Sequence, residues 1–481
     1  MNAELSVNSP LGQKAIEVLN QRTSREFRII ALVSIIHLPL GLVLYNAGQL
    51  AILHPAIVFA FGVYLATKKK VALSIVVLVV SYIVGAEVLW RMAKIPIYWE
   101  SGKYMSASIM IIALLVRRRL RIPPVAAVYF LLLLPSCFLI LAGSNFSRIS
   151  EILSFTMSGP FLFLICCWFF QSTGLRPFEF KRLLIVAMLP LLSVALTTLF
   201  YTVANEDLQF TGESNLATSG GFGPNQVSSM LGLGVFLSLA GLILFEKRSR
   251  FSIYFAVSAL FMAALSVMTF SRGGIYNAIG AVLVLILFQS RNISTSLKRV
   301  APLFVLAAIF LLVIFPYLNS FTGGALEERF DDTGTTNRWE ILEADIQVFL
   351  ENPLFGVGVG ESREARKRLL EFGAVSHTEF SRLLSEHGAF GLGALAALAI
   401  MVFTNLRRPN STPGKAFIAG AIAWSFFFMM NAGMRLAAPS FMLGLAFVTI
   451  GSMRPNLARA VERNMQSIRT RIPVGKDPKA R

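Results

Sequence analysis

The sequence predicts an all-α polytopic membrane protein, with about fourteen transmembrane helices and a helical cap on the outer face. Three observations lead there. Of 481 residues, 55% are apolar and only 15% charged, against about 25% charged in soluble globular chains, and the mean hydropathy is +0.66. The apolar residues gather into runs near the roughly 20 residues that a helix needs to cross the hydrocarbon layer. Lys and Arg concentrate in every second connection between those runs. A large water-soluble enzyme is excluded, and no polar linker interrupts the first 318 residues.

Residues 1–28 are polar and basic, and no small-residue cleavage pattern follows the first apolar run, so this segment is expected to stay attached as a cytoplasmic N-terminus. Apolar runs then place spans at Ile29–Tyr45, Leu50–Ala66, Val71–Trp90, Tyr104–Val116, Pro124–Ala142, Ile152–Phe170 and Leu183–Tyr201. The series continues with Phe222–Phe245, Ser252–Phe270, Ile275–Phe288, Ala301–Leu318, Gly388–Phe403, Ala416–Met430 and Leu436–Ile450. The predicted organisation is a bundle of about eleven spans over 29–318, a large outer loop over 319–390, C-terminal spans over 391–453 and a basic cytoplasmic tail over 454–481. Cys137, Cys166 and Cys167 lie inside apolar runs without metal-ligand spacing and are expected to be packing residues.

Charge tests the parity of this series. With the N-terminus inside, 31 of the 44 Lys and Arg fall in inner segments and 13 in outer ones; an error of one span would scramble that. The formal charge of +18 is therefore explained by anchoring at the membrane surface, and no nucleic acid is implied. In the tail, Leu457, Val461, Met465, Ile468 and Ile472 recur at helical spacing among arginines, which suits either an anionic membrane surface or a solvated basic tail.

Two outer segments differ from the rest. Residues 202–221 contain no Lys or Arg and end in the turn-forming run Gly220-Gly221-Phe222-Gly223-Pro224-Asn225. Residues 319–390 hold 13 acids against seven bases, enough chain for two or three cap helices. Within them Asn337-Arg338-Trp339-Glu340 reads as a helix start, with Trp339, Leu342, Ile346 and Phe349 as its apolar face and Asn352-Pro353 as its end. Arg338 in a first helical turn opposes the helix dipole, so either a ligand anion or a salt bridge to Asp331, Asp332 or Glu340 is expected beside it. Phe355-Gly356-Val357-Gly358-Val359-Gly360 lacks dinucleotide-loop spacing and reads as a tight loop at the membrane boundary.

Ser376-His377-Thr378-Glu379 matches a capping box before a second helix. That puts His377 at the first helical position, where the dipole keeps imidazole neutral and able to accept a proton. Glu379 reads as the cap partner, and His387 as a loop histidine. Ser271-Arg272-Gly273-Gly274 joins two spans on the outer side with almost no loop, so Arg272 must snorkel or pair with an anion; Arg435 is placed similarly between the last two spans. Guanidinium groups bind phosphate oxygens bidentately and can stabilise a departing diphosphate. No D-x-D cluster stands in the cap, so a metal-dependent glycosyltransferase is not indicated, and neither a metal nor a cofactor is expected.

The order Ser271-Arg272-Gly273, Arg338-Trp339, Asn352-Pro353-Leu354-Phe355-Gly356-Val357-Gly358, then His377 with Glu386 and Gly388, resembles the O-antigen ligase and polymerase superfamily over about residues 220–450. The resemblance implies a GT-C-like inverting glycosyltransferase of the bacterial inner membrane, multi-pass with both termini cytoplasmic. Its donor would be a glycan on undecaprenyl diphosphate and its acceptor a growing lipid-linked glycan, the lipid A core or a protein, with polymerase slightly preferred. A chain-length regulator and a flippase would be partners in surface polysaccharide or exopolysaccharide synthesis. It also implies Arg272 and Arg338 at the donor diphosphate and His377 beside the acceptor hydroxyl; Arg435, by its position between the last two spans, is a further candidate for the diphosphate. His377-Thr378 stands where the family commonly has His-Asn, which leaves the acceptor class open. A small-solute or bicarbonate transporter is the competing class, but transporters place ionisable groups near the midplane, and here the candidates sit at the outer boundary.

Overall fold

The computed structural model describes residues 10–142, 145–205, 208–245, 250–289, 293–332, 334, 338–370, 376 and 378–451. Asn337, His377 and the basic stripe of the C-terminal tail lie outside the described residues. What is described is almost wholly helical, and the all-α polytopic architecture is borne out. Eleven stretches are long and apolar enough to cross a membrane, from Ser24–Asn46 to Thr412–Ala432, and three shorter apolar helices stand at Ser101–Val116, Gly273–Gln289 and Ala437–Phe447. These fourteen described stretches coincide one for one with the fourteen apolar runs, because length and hydropathy are what a bilayer selects for.

The connections sort to two ends. At one, the Arg117 guanidinium after the fourth span donates to the carbonyls of Ala66 and Lys68, 2.8 and 2.9 Å away, after the second. Trp168, closing the sixth span, donates to the Arg119 carbonyl at 2.7 Å. Gly174–Leu175 pairs in parallel with Thr449–Ile450 beyond the fourteenth span, and Asn410 after the twelfth accepts from the Ile450 amide at 3.0 Å. These are the basic connections. The acidic cap and the connections after the third, ninth and thirteenth spans meet at the opposite end, as the contacts below show.

Close packing rests on small residues. A Cβ on Gly232 of the eighth span would lie 2.1 Å from the carbonyl oxygen of Gly274 in the tenth, so the two backbones touch as only glycine allows. The eleventh span, Val300–Phe321, buries none of its apolar window. It contains a π-helical turn at Phe310–Ile314 and leaves Phe304, Leu311, Leu312 and Val313 exposed, as a lipid-facing helix would. All three cysteines are free thiols in or beside the core.

The cap carries helices at Ala325–Asp331, Arg338–Glu351 and Ser362–Arg366. Two local expectations fail here. The Arg338–Glu351 helix buries Ile341, Ala344, Asp345 and Val348, whereas Trp339 and Ile346 of the expected face are exposed; a buried carboxylate at Asp345 rotates the inward face away from the apolar stripe. The next helix begins at Glu379, with Thr378 as its N-cap accepting from the Ser381 amide at 3.0 Å. The expected capping box from Ser376 to Glu379 is therefore absent, and His377 precedes the cap. Ser376 is instead held by Arg366 and Asp345.

Candidate functional site

Three arginines converge at the outer end. Thr269, Phe270 and Ser271 turn the chain between the ninth and tenth spans, with Phe270 in the left-handed region at φ 57°. An aromatic residue there costs about 1–2 kcal/mol, and the turn is held by burial: Phe270 is 1% exposed and stacks on Phe210 with ring centres 5.8 Å apart. The strained turn presents the Phe270 carbonyl, which accepts from Arg329 Nε at 3.0 Å. Arg272 follows directly. Its guanidinium donates to the Asp332 carbonyl and, at 3.0 Å, to that of Gly334.

Arg338 opens its cap helix, and its guanidinium donates to Asn431 Oδ1 at 2.8 Å. Asn431, at the end of the thirteenth span, in turn donates to Asn277 Oδ1 of the tenth at 3.1 Å. None of the three acids expected as a salt-bridge partner takes that role: among the described residues Arg338 has no ion pair. Burial pushes the Arg338 guanidinium pKa below its ordinary value, and the positive charges of Arg272 and Arg329 push it the same way. Arg329 is lowered too, by burial and then by Arg272, with Asp332 opposing. Asp332 lies 3.3 Å from Arg329 and 4.0 Å from Arg272, and among the described residues no other carboxylate is ion-paired to the three. The three guanidinium groups thus have one ion-paired carboxylate among them, with Glu213 acting on Arg329 at longer range.

Arg435 is not part of this group. Its guanidinium donates to the Ser376 carbonyl at 2.9 Å, and burial followed by repulsion from Arg382 lowers its pKa against attraction from Glu379. It therefore stands over the residue preceding His377. Below it lies a buried ionic centre at the start of the twelfth span. Arg382 bridges Glu379 and Glu386, the latter at 2.6 Å, and Glu379 also accepts from the Met434 amide at 3.2 Å. Glu379 is thus an ion-pair partner at the helix start. His387 is fully buried against Ser136, a core residue and not a loop one.

The glycine loop explains the break in the twelfth span. Gly388 has φ 60°, ψ −134°, which interrupts the helix, and the freed carbonyls of Ser385 and Glu386 accept from the amides of Val357 and Gly358 at 3.0 and 3.1 Å. Gly356, at φ 67°, packs so closely that a Cβ would lie 2.3 Å from the Glu386 backbone. The loop is therefore a splint for the kink that positions the helix start under Arg435.

Sequence reasoning singled out Arg272 and Arg338 but missed Arg329 and Asn431. Arg329 sits in Glu327-Glu328-Arg329-Phe330-Asp331-Asp332, where it reads as a solvated ion pair, and Asn431 carried no spacing signal. Residues 257–396 match the family model described as O-antigen ligase. The interval is narrower than the resemblance drawn from the motifs; it takes in Arg272, Arg329, Arg338 and His377 and leaves Asn431 and Arg435 beyond its end. No curated protein compared with the chain matches it.

Proposed function

We propose that this chain, which by its residues 257–396 belongs to the O-antigen ligase and polymerase superfamily, moves a glycan from undecaprenyl diphosphate to an acceptor hydroxyl. At the coarser level the family match supports a membrane glycan ligase or polymerase type of activity in surface polysaccharide synthesis. The end carrying the arginines is taken as periplasmic and both termini as cytoplasmic in a bacterial inner membrane, on the alternation of basic connections.

One observation carries the reading: Arg272, Arg329 and Arg338 converge with one paired carboxylate between them. A cluster of guanidinium groups short of counter-charge, at the membrane boundary, suits an anionic group delivered by a lipid. In the reaction the acceptor oxygen bonds to the anomeric carbon as the bond from that carbon to the diphosphate oxygen breaks, with inversion. The electron pair leaves with undecaprenyl diphosphate, whose charge the arginines stabilise. His377 takes the hydroxyl proton. The helix itself begins two residues later, at Glu379, and the neighbouring Ser376 carbonyl accepts from the Arg435 guanidinium at 2.9 Å. No metal is required in this scheme.

We take the acceptor to be a growing lipid-linked glycan, with a flippase and a chain-length regulator as partners. The test is a transfer assay with the full chain in lipid nanodiscs, a synthetic undecaprenyl diphosphate glycan, and either a second copy or lipid A core as acceptor, run in chelator. Lengthened lipid-linked product is expected. Product on the lipid A core alone would make the chain a ligase, and no product with either acceptor would overturn the reading.

A further inference from the structure

A cavity of about 230 Å³ opens at the outer end between the third and fourth spans, lined among others by Glu87, Trp90, Arg91, Lys94, Tyr98 and Trp99. Three observations separate it from a packing void. Arg91 is 8% exposed, and its Nη2 reaches Glu87 at 2.7 Å and the Trp99 carbonyl at 3.0 Å. Its buried Nε has no hydrogen-bond partner among the described residues. Buried donors are nearly always partnered, so a donor left open beside a cavity points to a ligand acceptor.

Lys94 is the second. The third span's helix ends at Met92, and the amides of Lys94 and Ile95 bond back to the carbonyls of Arg91 and Trp90, both at 3.1 Å. That turn puts Lys94 at φ 49°, a position glycine normally takes and a side chain occupies at a cost of about 1 kcal/mol. The lysine stands at the cavity rim, on the end where basic residues are scarce, and makes no ion pair among the described residues. The third observation is aromatic: Tyr98 and Trp99 are 57% and 51% exposed at the same rim, and the Arg91 guanidinium lies 4.7 Å from the centre of the Trp99 ring.

The open groups that line the cavity itself are therefore donors; Glu100, outside its lining, pairs with Lys103 at 2.6 Å and lies 3.7 Å from Arg91, with its Oε1 unpartnered among the described residues. Glu87, a carboxylate in the wall, is already engaged by Arg91 and by the Ala437 amide at 2.7 Å. A sugar ring can lay its C–H face on an aromatic side chain, and a carboxylate on that ring would satisfy both the Arg91 Nε and the Lys94 ammonium. We infer that this cavity binds a single acidic sugar, a pyranose bearing a carboxylate, and so selects the glycan that reaches the transfer site. The wall is tied to that site: Arg91 also donates to the Arg435 carbonyl at 3.4 Å, and the Arg435 side chain holds Ser376. That the sugar belongs to a glycan undergoing transfer rests on the proposed function; that the cavity binds it does not.

The experiment is saturation-transfer NMR on the full chain in nanodiscs, titrating methyl glucuronide against methyl glucoside. The glucuronide is expected to bind and the glucoside to bind about tenfold more weakly. Lys94→Gly relieves the turn and stays folded, and is expected to lower glucuronide affinity about three- to tenfold while leaving the glucoside unchanged. Equal binding of the two sugars, no glucuronide binding, or unchanged affinity in Lys94→Gly each overturns the inference. Arg338→Ala separates the two readings, since it is expected to lose transfer and keep glucuronide binding. A chain that transfers glycan but ignores glucuronide sinks the cavity alone; one that binds glucuronide but never transfers sinks the transfer alone.

Discussion

Two groups of charged side chains stand at the same end of the bundle and differ in how their charge is balanced. Asp345 and Arg366 pair inside the cap, ringed by Ser376, Ser381 and Ser385, and Arg382 pairs with both Glu379 and Glu386 just below. In the second group Arg272 and Arg329 share Asp332, and these two and Arg338 otherwise lean on carbonyl and amide oxygens. Burial with full pairing is what a structural ion pair needs to persist. Guanidinium groups held by neutral oxygens keep their charge available. The first group builds the platform, and the second is left open for an anion.

The comparison breaks first at Asp345. Asp345→Ala takes from the buried Arg366 the carboxylate it pairs with and is expected to cost about 3–5 kcal/mol, read as a large drop in the thermal midpoint in detergent. A variant as stable as the parent would mean that this centre is not structural. Arg338→Ala removes only a bond to Asn431 and is expected to unfold at the parent's temperature while transfer falls about 10²–10³-fold. Loss of stability in step with activity would move Arg338 into the structural group.

Between these groups lies the kink. Gly388→Ala must hold a side chain at φ 60° with its Cβ 2.6 Å from the Gly356 amide nitrogen, so about 1–3 kcal/mol of destabilisation is expected. Limited proteolysis should then cut the 352–361 loop faster than in the parent, because the amides that splint the break lose their register. Unchanged protection would show that the loop is held by other contacts.

How far this was legible in the sequence follows from the same physics. The fourteen spans were, because a bilayer demands length and hydropathy and both are local. Arg272 and Arg338 were, because a cation beside a span on the acid-rich side, or in a first helical turn, is out of place by itself. Arg329 was not: an arginine among four acids looks neutralised until the fold shows that Asp332 is the one paired to it. The buried face of the Arg338–Glu351 helix was misjudged because periodicity counts apolar residues, and Asp345 is buried by its partners from three other segments. His377 was placed by a capping pattern that Thr378 takes over. A cap residue is chosen by which hydroxyl reaches the N–H groups, and Thr378 is nearer in sequence to Ser381 than Ser376 is.

The finest test is Asp332, the carboxylate that sits among the three arginines. It is exposed enough to be partly screened, so its attraction for Arg272 and Arg329 is modest, and it occupies charge that a diphosphate would otherwise meet. Asp332→Asn keeps the backbone carbonyl that Arg272 uses and removes only the negative charge. Pyrophosphate affinity, measured by titration calorimetry at low salt, is expected to rise about two- to fivefold and to converge with the parent's at high salt as screening sets in. A fall in affinity would mean that Asp332 positions the arginines instead of competing with the ligand. The open group would then owe its geometry to an ion pair after all, and the contrast with the Asp345 centre would be one of degree.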